Sequence, residues 1–213
     1  MNSITKFKDL LIESLKQNKK LILVLYILFI VSFALAWALS SGGMDTVINS
    51  LPASTDSTVN DTVTVTELLI QNERGGILTY IASIFFGIAA VVGLIYNGVN
   101  LGLMGALLSN IMPKGGIQYI TYLIPHGIFE ITALVIQSAA GILLFLFIWK
   151  FVKTFIKSEK SGFKEKILSS YEENKKIIIQ SLILMVFGAI LLLIAAPIEA
   201  YVSVPLSELI LGV

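Results

Sequence analysis

Residues 21–40 (LILVLYILFIVSFALAWALS) carry no charge, and a helix needs roughly 20 mostly apolar residues to cross a hydrocarbon core about 30 Å thick. Such a tract restricts the chain to architectures that satisfy their backbone hydrogen bonds inside lipid. A signal peptide is the competing reading, because Ala36 and Ala38 form an A-x-A-like site. Its apolar core usually runs to only about 7–15 residues, however, so an uncleaved first crossing is favoured. Further apolar stretches follow at 77–111, 117–149 and 177–198. Only 14% of the 213 residues are charged, against about a quarter in a soluble domain. The chain reads as an all-α, polytopic helical membrane protein, one membrane domain spanning 1–213.

Two of these stretches are too long for one ordinary crossing, so each is expected to contain a break. Asn97-Gly98 offers one, and Pro125-His126-Gly127 the other, since proline suits the first turn of a new helix. Gly98, Gly102 and Gly105 share a helical face, and small residues of this kind let helices approach closely in lipid. Asn97 and Asn100 are expected near the inner end of the second crossing, where their amides satisfy broken backbone or bond to a neighbouring helix. Residues 1–20 read as an amphipathic cytoplasmic lead-in lying on the membrane face. Residues 41–76 read as an external polar loop, and 199–213 as a mildly amphipathic surface tail.

Lysine placement sets the expected threading. Five lysines fall in the first 20 residues and eight in the loop 150–176. Positive flanks mark the cytoplasmic side, so the N-terminus and the basic loop 150–176 belong inside the cell membrane. An odd number of crossings must then lie between Gly76 and Lys150. About five crossings in all is the reading.

Charge and residue type prune the functions. A formal net charge of +1 gives no reason to expect nucleic acid. The chain has no cysteine and a single histidine, which excludes disulfides, thiolate metal sites and His-rich metal cages. No cofactor is expected. Ionisable residues inside spans are costly and count as functional hypotheses by default. Three stand out: His126, Glu130 and Glu199. At 1.5 Å per residue, Glu130 lies ~30 Å and His126 ~36 Å from Lys150, while Glu199 lies ~34 Å past Lys176. Two separate helices thus bring all three to similar depth near the outer boundary. Three readings stay open: a structural hydrogen-bonded group, a proton- or ion-handling site, or a metal site.

The same residues carry a resemblance. Tyr96-Asn97-Gly98 with Gly102, Pro125-His126-Gly127-Ile128-Phe129-Glu130, and Ala195-Ala196-Pro197-Ile198-Glu199 together resemble the stage II sporulation protein M family of multi-pass membrane proteins. Their order and spacing cover roughly residues 80–205. The resemblance implies a five-helix membrane protein without known catalytic activity. Its sporulation member is regarded as a scaffold for peptidoglycan-degrading partners, while relatives occur in bacteria and archaea that never sporulate. The expectation is therefore a non-enzymatic scaffold of membrane or cell-envelope partners, able to form a homo-oligomer in the bilayer. A channel or transporter is the alternative.

Overall fold

The computed structural model describes residues 3–42 and 64–212. Six α-helices occur among them, with no strand. They are α1 (Ser3–Ser40), α2 (Val65–Ala82), α3 (Ile88–Ile111), α4 (Gly115–Lys157), α5 (Phe163–Ile198) and α6 (Val204–Leu211). A π-helical turn, Glu199–Ser203, joins α5 to α6. Four stretches are long and apolar enough to cross a bilayer: Lys19–Ser40, Ile88–Ile111, Gly115–Lys157 and Phe163–Leu211.

Side-chain neighbours fix the helix directions. On α3, Gly98 faces Phe29 and Ser32 of α1, Gly102 faces Phe33 and Ala36, and Gly105 faces Trp37. The two helices therefore run parallel. Along α2 and into the turn after it, Gly76 meets Gln137, Ser83 meets Gly141, and Gly87 meets Phe145, so α2 runs with α4. Helix α5 runs with α1, because Lys176 pairs with Glu13 at 2.8 Å and Gln180 donates to Gln17 at 2.6 Å. The direction alternates at every step from α1 to α5. The described helices thus run up and down the bundle five times, four times on helices long and apolar enough to cross a bilayer and once on α2, which carries Glu67, Glu73 and Arg74.

The centre of the bundle is apolar and closely packed. Leu25, Phe29, Leu94, Val135, Ile136, Ala139, Ala140, Leu143 and Leu184 form one buried cluster. Between helices without a hydrophobic drive from water, such contact rests on close van der Waals packing. A few polar links cross it: Ser181 Oγ donates to the Ala140 carbonyl at 2.7 Å and meets Tyr80 Oη at 2.9 Å.

Several expectations need correction. No helix break occurs at Asn97-Gly98, where α3 runs straight through. Asn97 keeps its amide within the helix by donating to the Gly93 carbonyl at 2.8 Å, and Gly98 is needed for closeness to α1 rather than for a bend. The chain turns instead at 83–87, ending on Phe86 and Gly87 with φ of 61° and 66°. Two consecutive left-handed residues cannot continue a right-handed helix. Asn97 accordingly lines a cavity with Glu130 and Gln137 in the middle of α3 rather than at a span's end, and Asn100 is exposed. Pro125 does not break α4 either. In lipid the flanking turns keep their bonds, so a proline inside a span is tolerated.

Within the lead-in 1–20, residues 3–20 are not a separate surface helix but the first half of α1. It contains no glycine or proline to interrupt it, and its polar side chains reach α5: Asn18 donates to Gln180 at 3.3 Å. The hydrogen bond and charge of Lys176 hold the Glu13 carboxyl below its ordinary range. The basic stretch 150–176 is mostly helix, with only 158–162 linking α4 to α5. An aromatic seam extends the hairpin: Phe147 packs on Tyr171 and Phe155 on Phe163, with ring centroids 6.5 and 5.6 Å apart. Of the stretch 41–76, residues 43–63 lie outside the described residues, and from Val65 onward it is helix, not loop. Thr64 caps that helix and shares a reciprocal capping box with Glu67. The tail 199–211 continues α5 rather than lying apart, and α6 packs against α4.

Candidate functional site

Spacing on two helical segments builds the site. Tyr122, His126 and Glu130 recur every four residues on α4 and so project from one face. Glu199 and Ser203 are also four apart, on the π turn that follows α5. Pro197 and Pro205 flank that turn, and each removes an i→i−4 backbone bond. The intervening residues relax into the wider turn, a form common at functional sites.

The two faces meet. His126 is only 3% exposed, and its Nδ1 lies 2.8 Å from Ser203 Oγ. The Ser203 hydroxyl can donate its one hydrogen to the Ile198 carbonyl at 3.2 Å. With that hydrogen on the Ile198 carbonyl, Ser203 Oγ accepts from His126 Nδ1–H and Nε2 keeps its lone pair; with the hydrogen turned onto Nδ1, the ring proton sits on Nε2 instead. Nε2 faces Glu130, whose Oε2 is 4.0 Å away. Tyr122 Oη donates to Glu199 Oε1 at 3.4 Å, and its ring packs edge-on against the imidazole with centroids 5.1 Å apart. One ligand-capable atom from each of His126, Glu130 and Glu199 lies within 4.8 Å of the others.

Glu130 also opens onto a cavity of about 400 Å³ between α2, α3 and α4, lined by Gln71, Asn72, Asn97, Gln137 and Ser138 among others. Gln137 is 4% exposed, and among the described residues neither polar atom of its amide has a hydrogen-bond partner. Two glycines make room for it: a Cβ on Gly76 would collide with the Gln137 amide, and one on Gly188 would press on its Cγ. A larger depression lies at the lysine-rich end, lined by Lys150, Lys153, Lys157, Lys160, Glu159 and Glu173. It is an open crease between the ends of α4 and α5, remote from the histidine.

What the arrangement can do follows from its atoms. A serine, a histidine and a glutamate in line suggest an acyl-transfer triad. The geometry disagrees. Ser203 is fully buried, a carbonyl competes with the imidazole for its hydrogen, and the Glu130 contact at 4.0 Å is beyond hydrogen-bond range. An imidazole beside two carboxylates suits cation binding or proton exchange instead.

The structure therefore brings His126, Glu130 and Glu199 together and puts Asn97 beside the same cavity as Glu130. It leaves Asn100 outside. Gly98, Gly102 and Gly105 are buried against α1, away from the cluster. Sequence reasoning missed Tyr122, Ser203 and Gln137. Tyr122 and Ser203 could have been found by extending the four-residue spacing one step from His126 and from Glu199. Gln137 gave no such signal, because a lone glutamine in an apolar span has many ordinary explanations.

Comparison with known proteins adds the family. The stage II sporulation protein M profile matches residues 22–204. An uncharacterised protein of Methanocaldococcus jannaschii is 35% identical over 137 residues, covering 64% of this chain and 68% of that one. A second uncharacterised protein of the same organism is 28% identical over 204 residues, covering 89% and 88%. No solved structure matches the chain. The family match takes in all five passes together with the histidine–glutamate face of α4 and the turn that bears Glu199, and on that basis the chain belongs to the stage II sporulation protein M family.

Proposed function

We propose that this protein is a non-enzymatic organiser of membrane or cell-envelope partners, set in the cell membrane with its N-terminus in the cytoplasm. The orientation follows from lysine placement, since the N-terminal turns of α1 and the α4–α5 hairpin share one basic end. The observation that carries the organising role is the packed apolar core. On α4 the cavity beside Glu130 is lined no further along than Gln137 and Ser138, and the buried apolar cluster continues past it through Ala139, Ala140 and Leu143. A closed core of this kind supports a static platform better than a conduit. Envelope proteins, or a second copy of the chain, are the partners that such a platform would hold.

A channel or transporter is the second reading, favoured by the cavity itself and by the π-helical turn at 199–203 beside the cluster. Two measurements separate the readings. Purification from native membranes in mild detergent is expected to recover the same envelope proteins repeatedly in near-constant proportion. Repeated recovery of the chain alone would oppose the organiser. In liposomes, wild type, Glu130→Gln and Glu199→Gln are expected to give the same leak-level ion flux. Flux above leak that either substitution abolishes would establish transport instead.

A further inference from the structure

We propose that His126 Nε2, Glu130 and Glu199 form a binding site for one divalent transition cation of the zinc or manganese type.

Geometry comes first. The three ligand-capable atoms lie within 4.8 Å of one another, and a small side-chain adjustment brings them around a common centre at the usual ~2.0–2.2 Å for imidazole nitrogen and carboxylate oxygen. Ser203 can hold the imidazole in the tautomer that a ligand needs. When Ser203 gives its hydrogen to the Ile198 carbonyl and takes that of Nδ1, Nε2 carries the free lone pair. Metal-bound histidines are held in this way, by an oxygen partner on the other ring nitrogen. Tyr122 orients Glu199 in the same manner.

Charge points the same way. Glu130 and Glu199 sit on spanning helices, and among the described residues no lysine or arginine forms an ion pair with either. Two carboxylates together in a partly buried setting are costly unless something positive joins them. A divalent ion answers both at once. The orphaned amide of Gln137, 4% exposed and lining the cavity onto which Glu130 opens, makes that cavity a polar approach to the site, because buried amides favour polar company. The ligand set selects the ion class. One imidazole and two carboxylates with no thiolate suit zinc or manganese rather than copper(I), and three protein ligands leave a position open to water.

The full chain, purified through a tag without histidine, stripped with chelator and reconstituted in nanodiscs, is titrated with Zn²⁺ alone and with Mn²⁺ alone. Saturable uptake of about one ion per chain is expected. Ser203→Ala should weaken binding roughly 10–100-fold, the usual effect of losing an outer partner, while Glu130→Gln and Glu199→Gln should abolish it. Bound Mn²⁺ should also show electron spin-echo modulation from imidazole nitrogen. The chain has a single histidine, so unmutated protein reports His126 directly, even if the glutamate variants misfold. Absence of saturable uptake in the wild type overturns the proposal. So does a bound ion without nitrogen modulation, or one held equally well after Ser203→Ala.

Discussion

Gly102→Leu is expected to drive α1 from α3 and to destabilise the protein by about 3 kcal/mol or more, near the upper end of overpacking effects. A Cβ at position 102 would collide with the Phe33 carbonyl and would stand 2.9 Å from Ala36 Cβ and 3.0 Å from the Trp37 nitrogen. Two of those three neighbours are backbone atoms, which cannot swing aside as a side chain can. The pair can recover only by moving whole helices apart, and that loosens the contacts of Gly98 and Gly105 on the same face. By contrast Gly75 has open space around its Cα, so Gly75→Ala should be nearly silent and serves as the control. Unfolding in mixed micelles, followed by Trp37 fluorescence, measures both. Equal stability for Gly102→Leu and wild type would show that α1 and α3 are not in close contact.

Gln137→Met is expected to act in the opposite direction, raising stability by about 1–3 kcal/mol. Methionine has nearly the shape of glutamine and keeps the fit between Gly76 and Gly188. It removes two buried atoms that lack partners, and each unsatisfied buried polar group costs roughly 1–3 kcal/mol. The same unfolding titration reads the gain. A loss of stability would mean that the amide is bonded through the cavity and contributes to the fold. A residue kept at a cost to stability is typical of a working site, so the gain should come with a less polar cavity beside Glu130.

The membrane class, the alternation of passes and the convergence of His126, Glu130 and Glu199 were legible from charge spacing and from 1.5 Å of rise per residue. These are long-range regularities that one sequence records. The breaks were not legible, and the reason is physical. Asn97-Gly98 and Pro125 are strong turn signals in water, where freed backbone groups find solvent, whereas a span gives them no such alternative. Phe86 takes a left-handed conformation that nothing in its residue type announces. The lysines in 150–176 mark topology and so suggest a loop, yet Lys and Glu are good helix formers, and the Phe147, Phe151 and Phe155 series is the sign of a continued packed helix. Ser203 lay in a tail whose π turn rests on the placing of Pro197 and Pro205, a pairing that periodicity alone does not register.

Where the two ends of the bundle lie decides the threading of the whole chain. The chain is free of cysteine, so Lys160→Cys and Glu208→Cys each introduce a single reactive thiol, in the α4–α5 link and in α6. Intact cells treated with a membrane-impermeant maleimide are expected to label position 208 at once and position 160 only after permeabilisation. Labelling of both positions from outside, or of position 160 alone, would contradict five alternating passes with the histidine–glutamate cluster towards the outer face.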